Sequence, residues 1–233
     1  MNIWDDIWDK DPYSNEDVRN RKAQHKLNKF RELGVDFFKY HSVGDFGSGA
    51  GYVSLNLLNQ YQNICDIDLY DNSKLALQKA KINLSGFMPT KSINFYECNL
   101  NFPIDLPSIS SDRYDLIIAF SILEHLESMN QAIDNIYQAL HAKGELLLIW
   151  SNTNSVFYYQ HKLFEIMKMW RYGYTKEMCD TRLIELFQGR FSIIRCSVES
   201  CFGDKGVLSI LDSVMHKVSS NAGRYIFLHL QKK

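Results

Sequence analysis

With 233 residues, of which 45% are hydrophobic and 23% charged, the chain has the length and composition of one compact domain, which excludes a disordered or collagen-like protein. Twenty-six basic and twenty-seven acidic residues give a net charge of -1, which argues against the broad basic face of a general nucleic-acid binder. Five scattered cysteines predict reduced thiols, and an acidic N-terminus without an apolar run of ~18 residues predicts neither signal peptide nor membrane span, hence a cytoplasmic protein.

The predicted elements begin with a polar helical segment at 2–33, which carries an apolar stripe formed by Ile3, Trp4, Ile7 and Trp8. From about residue 41, apolar runs typical of buried strands, at 42–46, 63–68, 93–97, 116–120 and 145–150, alternate with amphipathic helical runs at 52–59, 72–84 and 129–140. An aromatic-rich helical run at 158–186 follows, and strands at 191–198 and 224–230 flank a final helix at 207–218. This alternation predicts right-handed crossovers and a doubly wound sheet.

The most informative segment is the turn after the first strand, where Asp45 is followed by Gly47, Gly49 and Gly51. Glycine permits positive φ and a close approach of the backbone to a ligand, and the free N–H groups of the following helix favour a negative group. A dinucleotide-binding GxGxxG would need glycine at position 52, where Tyr52 stands. The spacing therefore predicts a ligand-binding turn and disfavours a nicotinamide-dependent oxidoreductase.

An acidic residue, Asp68, closes the next apolar run, nineteen residues beyond Gly49. A carboxylate at the end of a strand can accept hydrogen bonds from both hydroxyls of a ribose. The alternative is that the glycines form an ordinary loop and that Asp68 caps the following helix. The turn and the acid together, in register with a strand-helix-strand pattern, favour the binding site.

In four stretches the chain resembles the class I S-adenosylmethionine-dependent methyltransferases, particularly the small-molecule group (methyltransferase type 11/12) that includes quinone-biosynthesis enzymes. These stretches are the glycine turn at 43–51, the pair Asp68-Leu69, the fourth-strand motif at 115–126 that ends in Glu124-His125-Leu126, and the fifth strand at 140–148. The resemblance implies a Rossmann-like α/β fold, with a seven-stranded sheet in the order 3-2-1-4-5-7-6, an antiparallel last strand, and helical additions at the N-terminus and after strand five. It implies a single domain, with a helical cap at 1–40, a cofactor-binding core at 41–150, and substrate-covering helices and final strands at 151–233.

The same resemblance implies that S-adenosyl-L-methionine is the cofactor, that S-adenosyl-L-homocysteine is the product, and that an oxygen or nitrogen of a small metabolite is methylated. It places Asn99 where many relatives have an aspartate facing the adenine amino group, and an amide oxygen can accept the same hydrogen bond. Glu145 replaces the second glycine of the family's fifth-strand motif, in a turn expected to be structural. The implied cofactor-binding residues are Asp45, Gly47, Gly49 and Gly51 at the methionine moiety, Asp68 at the ribose, Leu69 and Asn99 at the adenine, and, in addition, Leu100 and Ser121.

His125 is the candidate general base, because the end of the fourth strand lies at the mouth of the cofactor cleft in this fold and histidine titrates near neutral pH. The alternative is that Glu124 and His125 only support the turn into the next helix. A metal site formed by these two adjacent residues is a weak third interpretation, and no metal is predicted.

Trp4 and Trp8 form either a lid over an apolar substrate or a packing surface against the sheet, and packing is the preferred interpretation. The aromatic excess after the fifth strand indicates a planar or apolar acceptor. Neither an Asp/Asn-Pro-Pro-aromatic motif after strand four nor a Pro-Cys pair is present, so DNA is not an expected substrate. The principal rival function is a catalytically inactive module that binds S-adenosylmethionine or scaffolds a partner.

Overall fold

The computed structural model describes residues 3–10, 16–103, 113–170, 172–173, 175–200 and 207–233. The helices are α1 (Ile3–Asp9), α2 (Glu16–Glu32), α3 (Tyr52–Gln60), α4 (Lys74–Leu84), α5 (Met129–Ala139), α6 (Val156–Ile166), α7 (Asp180–Phe187) and α8 (Val207–Val218), with 3-10 turns at Phe37–Lys39 and Leu123–His125. The strands are β1 (Ser42–Phe46), β2 (Asp66–Asp71), β3 (Ser92–Glu97), β4 (Tyr114–Phe120), β5 (Leu140–Ser151), β6 (Phe191–Glu199) and β7 (Tyr225–Lys232). Within these ranges, none of the helices combines the length and the apolar character that a membrane crossing requires.

All seven strands form one sheet in the order β3-β2-β1-β4-β5-β7-β6, which confirms the predicted fold. Strands β1 to β5 are parallel, whereas β7 runs antiparallel to both β5 and β6. The chain moves outward from β1 in one direction to β3 and then returns to place β4 on the other side of β1. This reversal opens a crevice at the carboxyl ends of β1 and β4, the place where open α/β sheets bind ligands.

The sheet has an apolar core on each face, as expected for strands that are covered on both sides. On one face, α5 and α7 contribute buried side chains such as Ile133 and Phe187. On the other face, the corresponding residues are Phe30 of α2, Leu57 of α3 and Leu77 of α4. The two cores fix the ends of β1, β2 and β4 relative to one another, and these ends carry the candidate site.

Glu145 links the segment before β1 to the far half of the sheet. Its carboxylate is 6% exposed, accepts hydrogen bonds from Lys39 Nζ and Tyr40 Oη at 2.5 Å each, and lies 2.5 Å from His229 Nε2. Burial alone would raise the pKa of Glu145, but the bonds with His229, Lys39 and Tyr40 lower it to about 2. The residue that departs from the family's glycine pattern therefore belongs to a buried ion-pair cluster.

This lowered pKa predicts a loss of stability in acid that a Glu145→Gln variant does not share. Because the pKa is about 2 in the folded chain and 4.5 in the reference state, the stabilisation is complete above pH 4.5 and is lost as the pH falls through that interval. Urea unfolding between neutral pH and about pH 3 measures the effect. We expect the free energy of unfolding to fall more steeply for the wild type than for the variant, and equal slopes would contradict the assignment.

Candidate active site

The glycine turn after β1 is built as the sequence predicts. Gly47 and Gly49 adopt φ values of 76° and 55°, which non-glycine residues rarely adopt. The N–H groups of Gly47 and Ser48 donate to the Tyr70 carbonyl at 2.7 Å and 3.0 Å, so the turn is tied to the end of β2. A Cβ atom at Gly47 would lie 2.6 Å from the Ile122 side chain, which follows β4. The turn therefore brings the backbone against both neighbouring strand ends.

Gly51 lies where three neighbouring elements pack closely together. It precedes α3 with φ 74°, and a Cβ atom there would lie 3.1 Å from Leu69, 3.2 Å from Ala80 and 3.3 Å from Leu84. These contacts pack α3 against β2 and α4. Gly51 and the fully buried Leu69 therefore pack below the turn, and these contacts give no support to the expectation that they face the methionine moiety and the adenine.

Asp68 lies in the middle of β2, fully buried. Its carboxylate accepts hydrogen bonds from Tyr114 Oη at 2.5 Å and Asn94 Nδ2 at 2.8 Å and pairs with Arg113 Nη2 at 2.7 Å. The prediction that Asp68 ends the strand is wrong, because β2 stays paired with β3 as far as Asp71. Asp68 is instead a structural carboxylate within the sheet.

Asp71 occupies the position that the sequence analysis gave to Asp68. Its Oδ2 accepts the Gly49 N–H at 2.8 Å and its Oδ1 accepts the Ser73 N–H at 2.8 Å. Burial raises the pKa of Asp71, and the backbone N–H bonds of Ser73 and Gly49 oppose that shift. Each carboxylate oxygen keeps lone-pair capacity for a further donor.

A cavity of about 200 Å³ opens at the carboxyl ends of β1, β2 and β4. Asp71, Asn72 and Tyr70 form its wall at the end of β2. Six of the predicted site residues line it, namely Gly47, Gly49, Asn99, Leu100, Ser121 and His125, whereas Asp45, Gly51, Asp68 and Leu69 do not. The structure thus brings together residues from four separate stretches of the chain.

Two of these lining residues have distinctive geometry. Ser121, directly after β4, has φ 56°, an unusual conformation for a non-glycine residue and one that clusters at functional sites. The Asn99 side-chain oxygen accepts hydrogen bonds from the Asn101 backbone N–H at 3.0 Å and from Asn101 Nδ2 at 3.1 Å. The Asn99 side-chain oxygen therefore already accepts two hydrogen bonds from Asn101, and a ligand donor would bind to it in addition to these.

Asp45 faces a second cavity, of about 280 Å³, on the other side of the glycine turn. Its carboxylate accepts a hydrogen bond from Ser54 Oγ at 2.6 Å, and burial raises its pKa to about 6 although the Ser54 bond opposes this. Arg19, Lys22 and Lys26 of α2 line the same cavity, and burial lowers the pKa of Lys26 to about 8. This cavity therefore combines one carboxylate with three cationic side chains.

Helix α1 borders both cavities, so Trp4 and Trp8 stand where the lid interpretation requires them as well as packing on their neighbours. Both indoles line the first cavity, and Trp8 also lines the second. The Trp8 ring lies on the turn, where a Cβ atom at Gly49 would be 2.7 Å from it. Asp5 accepts a hydrogen bond from Ser73 Oγ at 2.6 Å, and Lys79 Nζ donates to the Trp8 carbonyl at 2.7 Å. These bonds hold α1 against the start of α4.

His125 lines the first cavity, and its orientation is fixed from two sides. Trp4 meets its ring edge-on at 5.1 Å between centroids, and Thr175 Oγ1 lies 3.2 Å from its Nδ1. Thr175 Oγ1 also accepts a hydrogen bond from Trp170 Nε1 at 3.2 Å. A role as base requires that His125 carry its hydrogen on Nδ1 and donate it to Thr175, with Nε2 as the acceptor of a proton.

Glu124 points away from His125 into the protein interior. It is 1% exposed, and its Oε1 accepts a hydrogen bond from Ser151 Oγ at 3.1 Å. Burial raises the pKa of Glu124 to about 7. The two adjacent side chains therefore do not converge on one point, and the described residues contain no group of three or more potential metal ligands.

Several residues of the site were missed by the sequence analysis. Asp71 could have been found, because the polar run Asp71-Asn72-Ser73 directly precedes an amphipathic helix. Thr175 and the cationic side chains of α2 had no such signal. They reach the site only through tertiary packing.

Comparison with known proteins supports the resemblance. A family model described as a methyltransferase domain matches residues 39–217, which is most of the chain. Probable polyketide synthase 40 of Dictyostelium discoideum is 30% identical over 117 residues, which cover 45% of this chain and only 5% of that much longer protein.

Two solved structures have the same fold over the whole chain. One is a chain from the complex between the Haloferax volcanii Trm112 methyltransferase activator and a methyltransferase, with a TM-score of 0.71, 12% identity, and coverage of 100% of this chain and 98% of that one. The other is the N-methyltransferase NodS from Bradyrhizobium japonicum in complex with S-adenosyl-L-homocysteine, with a TM-score of 0.62, 12% identity and 99% coverage of both chains.

Proposed function

We propose that this chain, which belongs to the methyltransferase-domain family, is an S-adenosylmethionine-dependent methyltransferase that methylates an oxygen or nitrogen of a small, aromatic or apolar metabolite. The observation that carries the proposal is the cavity at the strand ends, where Asp71 and the glycine turn face the indoles of Trp4 and Trp8. Because the cofactor is assigned to this cavity, the acceptor would lie beside it against the indoles, and an aromatic wall suits a small planar molecule better than a polymer. That the domain comprises a cap, a cofactor core and a substrate-covering region remains part of this proposal.

The residues at the strand ends fit the cofactor. We assign the ribose hydroxyls to Asp71, whose oxygens are already held by backbone N–H groups, and the adenine to the pocket beside Asn99 and Leu100. We assign the methionine end to the second cavity, where the Asp45 carboxylate suits an ammonium group and the cations of α2 suit a carboxylate. Ser48 Oγ lines that cavity, buried and without a hydrogen-bond partner among the described residues, which leaves a polar atom for this ligand.

The cofactor supplies an activated methyl group, so the protein contributes mainly binding, orientation and the exclusion of water. Gly47 and Ser121, both with positive φ, line the first cavity at the place where we expect the acceptor to approach the cofactor. Trp4 and Trp8 cover that point against solvent. His125 is placed to accept a proton from an acceptor hydroxyl or amine.

Turnover tests the proposal directly. The purified chain is incubated with S-adenosylmethionine and a panel of small phenols and amines, and S-adenosylhomocysteine is measured. We expect S-adenosylhomocysteine to form only when an acceptor is present, and to form fastest with aromatic acceptors. If the cofactor binds but no acceptor yields S-adenosylhomocysteine, the result would instead support the inactive module. Calorimetry with a nicotinamide cofactor tests the oxidoreductase alternative, which requires that this cofactor bind.

The four cysteines of the described part of the chain, Cys65, Cys98, Cys179 and Cys196, are free thiols. Free thiols are typical of reducing compartments. We therefore keep the cytoplasm as the proposed location.

His125→Ala is expected to lower kcat about 100-fold, because the proton acceptor is lost, and to leave the affinity for S-adenosylhomocysteine nearly unchanged. Thr175→Val is the matched control, since it keeps the imidazole and removes its 3.2 Å partner. For this variant we expect a smaller loss of kcat and a shifted pH profile. If His125→Ala loses affinity and turnover in parallel, the residue supports the loop and is not a base.

The position of Trp8 predicts a fluorescence response to the cofactor. Its indole lies between the two cavities, so a ligand that spans both must contact or displace it. We expect S-adenosylhomocysteine to change the intrinsic tryptophan emission, and Trp8→Phe to remove most of that change. Trp170→Phe is the control, because Trp170 lines neither cavity. A response that survives in Trp8→Phe would show that the ligand does not pass beneath this ring.

A further inference from the structure

Helix α6 has its polar and apolar sides reversed relative to a normal surface helix. Its inward residue is His161, which is 4% exposed and pairs through Nδ1 with Glu177. On the opposite side, Tyr159, Leu163 and Ile166 are 70%, 53% and 79% exposed. A surface helix ordinarily buries its apolar stripe and exposes its polar one.

Helix α8, which packs against α6, shows the same reversal. Its inward residue is Asp212, which is fully buried and accepts a hydrogen bond from Ser155 Oγ at 2.9 Å, at the start of α6. Among the side chains of α8 that the structure describes, six exposed apolar ones extend over three turns, namely Val207, Ile210, Leu211, Val214, Met215 and Val218. We call the nine exposed apolar residues of α6 and α8 the outer face.

An outer face of this kind requires a covering surface. Isolated exposed apolar residues are common, but a cluster of nine on two packed helices marks an interaction site. The inward His161 and Asp212 are held by specific hydrogen bonds, so the helices cannot simply rotate to bury the apolar side without leaving these polar groups unpaired.

The charged side chains beside the outer face indicate which kind of surface binds there. Lys168 follows α6, Lys217 ends α8, and both are exposed. Lys162 lies on α6 and pairs with Glu165 at 2.7 Å, while the other carboxylate of these helices, Asp212, points inward. The margin is therefore basic. A second copy docked by twofold symmetry would bring two basic margins together, whereas an anionic surface would complement them.

We propose that the outer face lies on the surface of a lipid bilayer that contains anionic lipids. An apolar helical side with flanking lysines is the arrangement that inserts shallowly at the boundary between acyl chains and headgroups. The lysine stems extend along the apolar surface and place their ammonium groups among lipid phosphates. The residues of the described chain that line the two cavities include none from α6 or α8, so this contact does not use the cavity walls.

Co-sedimentation with vesicles tests the proposal. The full chain is mixed with vesicles of phosphatidylcholine, with and without phosphatidylserine. We expect binding that is stronger with phosphatidylserine, that weakens in high salt, and that falls at least about tenfold in Ile210→Glu and Ile166→Glu. Lys168→Ala and Lys217→Ala should each reduce binding to the anionic vesicles about fivefold.

The matched control is Ile82→Glu on α4, because Ile82 is 73% exposed but lies away from the outer face. This variant should bind vesicles as the wild type does. Light scattering of each variant checks the oligomeric state. The proposal is overturned if the wild type does not bind vesicles, if Ile82→Glu loses binding as fully as Ile210→Glu, or if Ile210→Glu dissolves a dimer without altering vesicle binding.

Discussion

Asp68→Ala is expected to destabilise the fold by about 4 kcal/mol, because the substitution breaks a buried ion pair and removes an acceptor shared by three side chains. The carboxylate of Asp68 is fully buried and binds the side chains of Tyr114, Asn94 and Arg113. Tyr114 is in turn joined to Tyr70 through their hydroxyls at 2.7 Å. Removing the carboxylate therefore takes away an acceptor that the Tyr114 hydroxyl, the Asn94 amide and the Arg113 guanidinium share, although Arg113 keeps Asp66 at 3.5 Å.

Urea unfolding measures this loss, and Asp68→Asn is the control because it keeps the volume and part of the hydrogen bonding. We expect the asparagine variant to lose less stability than the alanine variant, and the folded fraction of either variant to bind S-adenosylhomocysteine. If the Asp68→Ala protein were stable but bound the cofactor more weakly, Asp68 would be the ribose ligand, as the sequence predicts.

Asp71→Ala is expected to have the opposite profile, with affinity for S-adenosylhomocysteine reduced about 200-fold, or about 3 kcal/mol, and a smaller change in stability. The ribose would lose a charged acceptor for two hydroxyls, which is worth more than a neutral hydrogen bond. The Gly49 N–H would also lose its 2.8 Å partner, so the turn itself would be less ordered.

Calorimetric titration of the folded variant gives the affinity, and Asp71→Asn separates charge from shape, since the amide oxygen can still accept the Gly49 N–H. We expect the asparagine variant to bind with intermediate affinity. If Asp71→Ala bound as tightly as the wild type, the ribose would have to lie elsewhere.

The order of the elements was predictable because both faces of the central strands are apolar and turn residues separate them. The first strand and the last helix were placed at their observed limits, 42–46 and 207–218. The end of β2 was not placed correctly. Acidic residues at 66, 68 and 71 all interrupt the apolar run, and only the pairing with β3 decides which of them ends the strand. The predicted end of the strand was therefore three residues too early, which is why the sequence pointed to Asp68 for the ribose and we propose Asp71.

Residues that act through packing could not be located from the sequence. The apolar stripe of α1 is compatible with a core helix, and its place beside the cavities depends on bonds to residues far along the chain, such as that between Asp5 and Ser73. Likewise, the aromatic run after β5 gave no sign that α6 turns Tyr159 outward and His161 inward. Periodicity gives the existence of a helical face, whereas its direction depends on partners far along the chain.

The proposed function depends on the binding of the cofactor in the cavity at the ends of β1, β2 and β4. A crystal structure of the chain with S-adenosylhomocysteine tests it most directly. We predict the ribose hydroxyls on the Asp71 carboxylate, the sulfur beside Ser121 and His125, and the amino-acid end among Asp45 and the cations of α2. A nucleoside bound outside this cavity, or one whose ribose lies far from residue 71, would show that the cofactor site lies elsewhere.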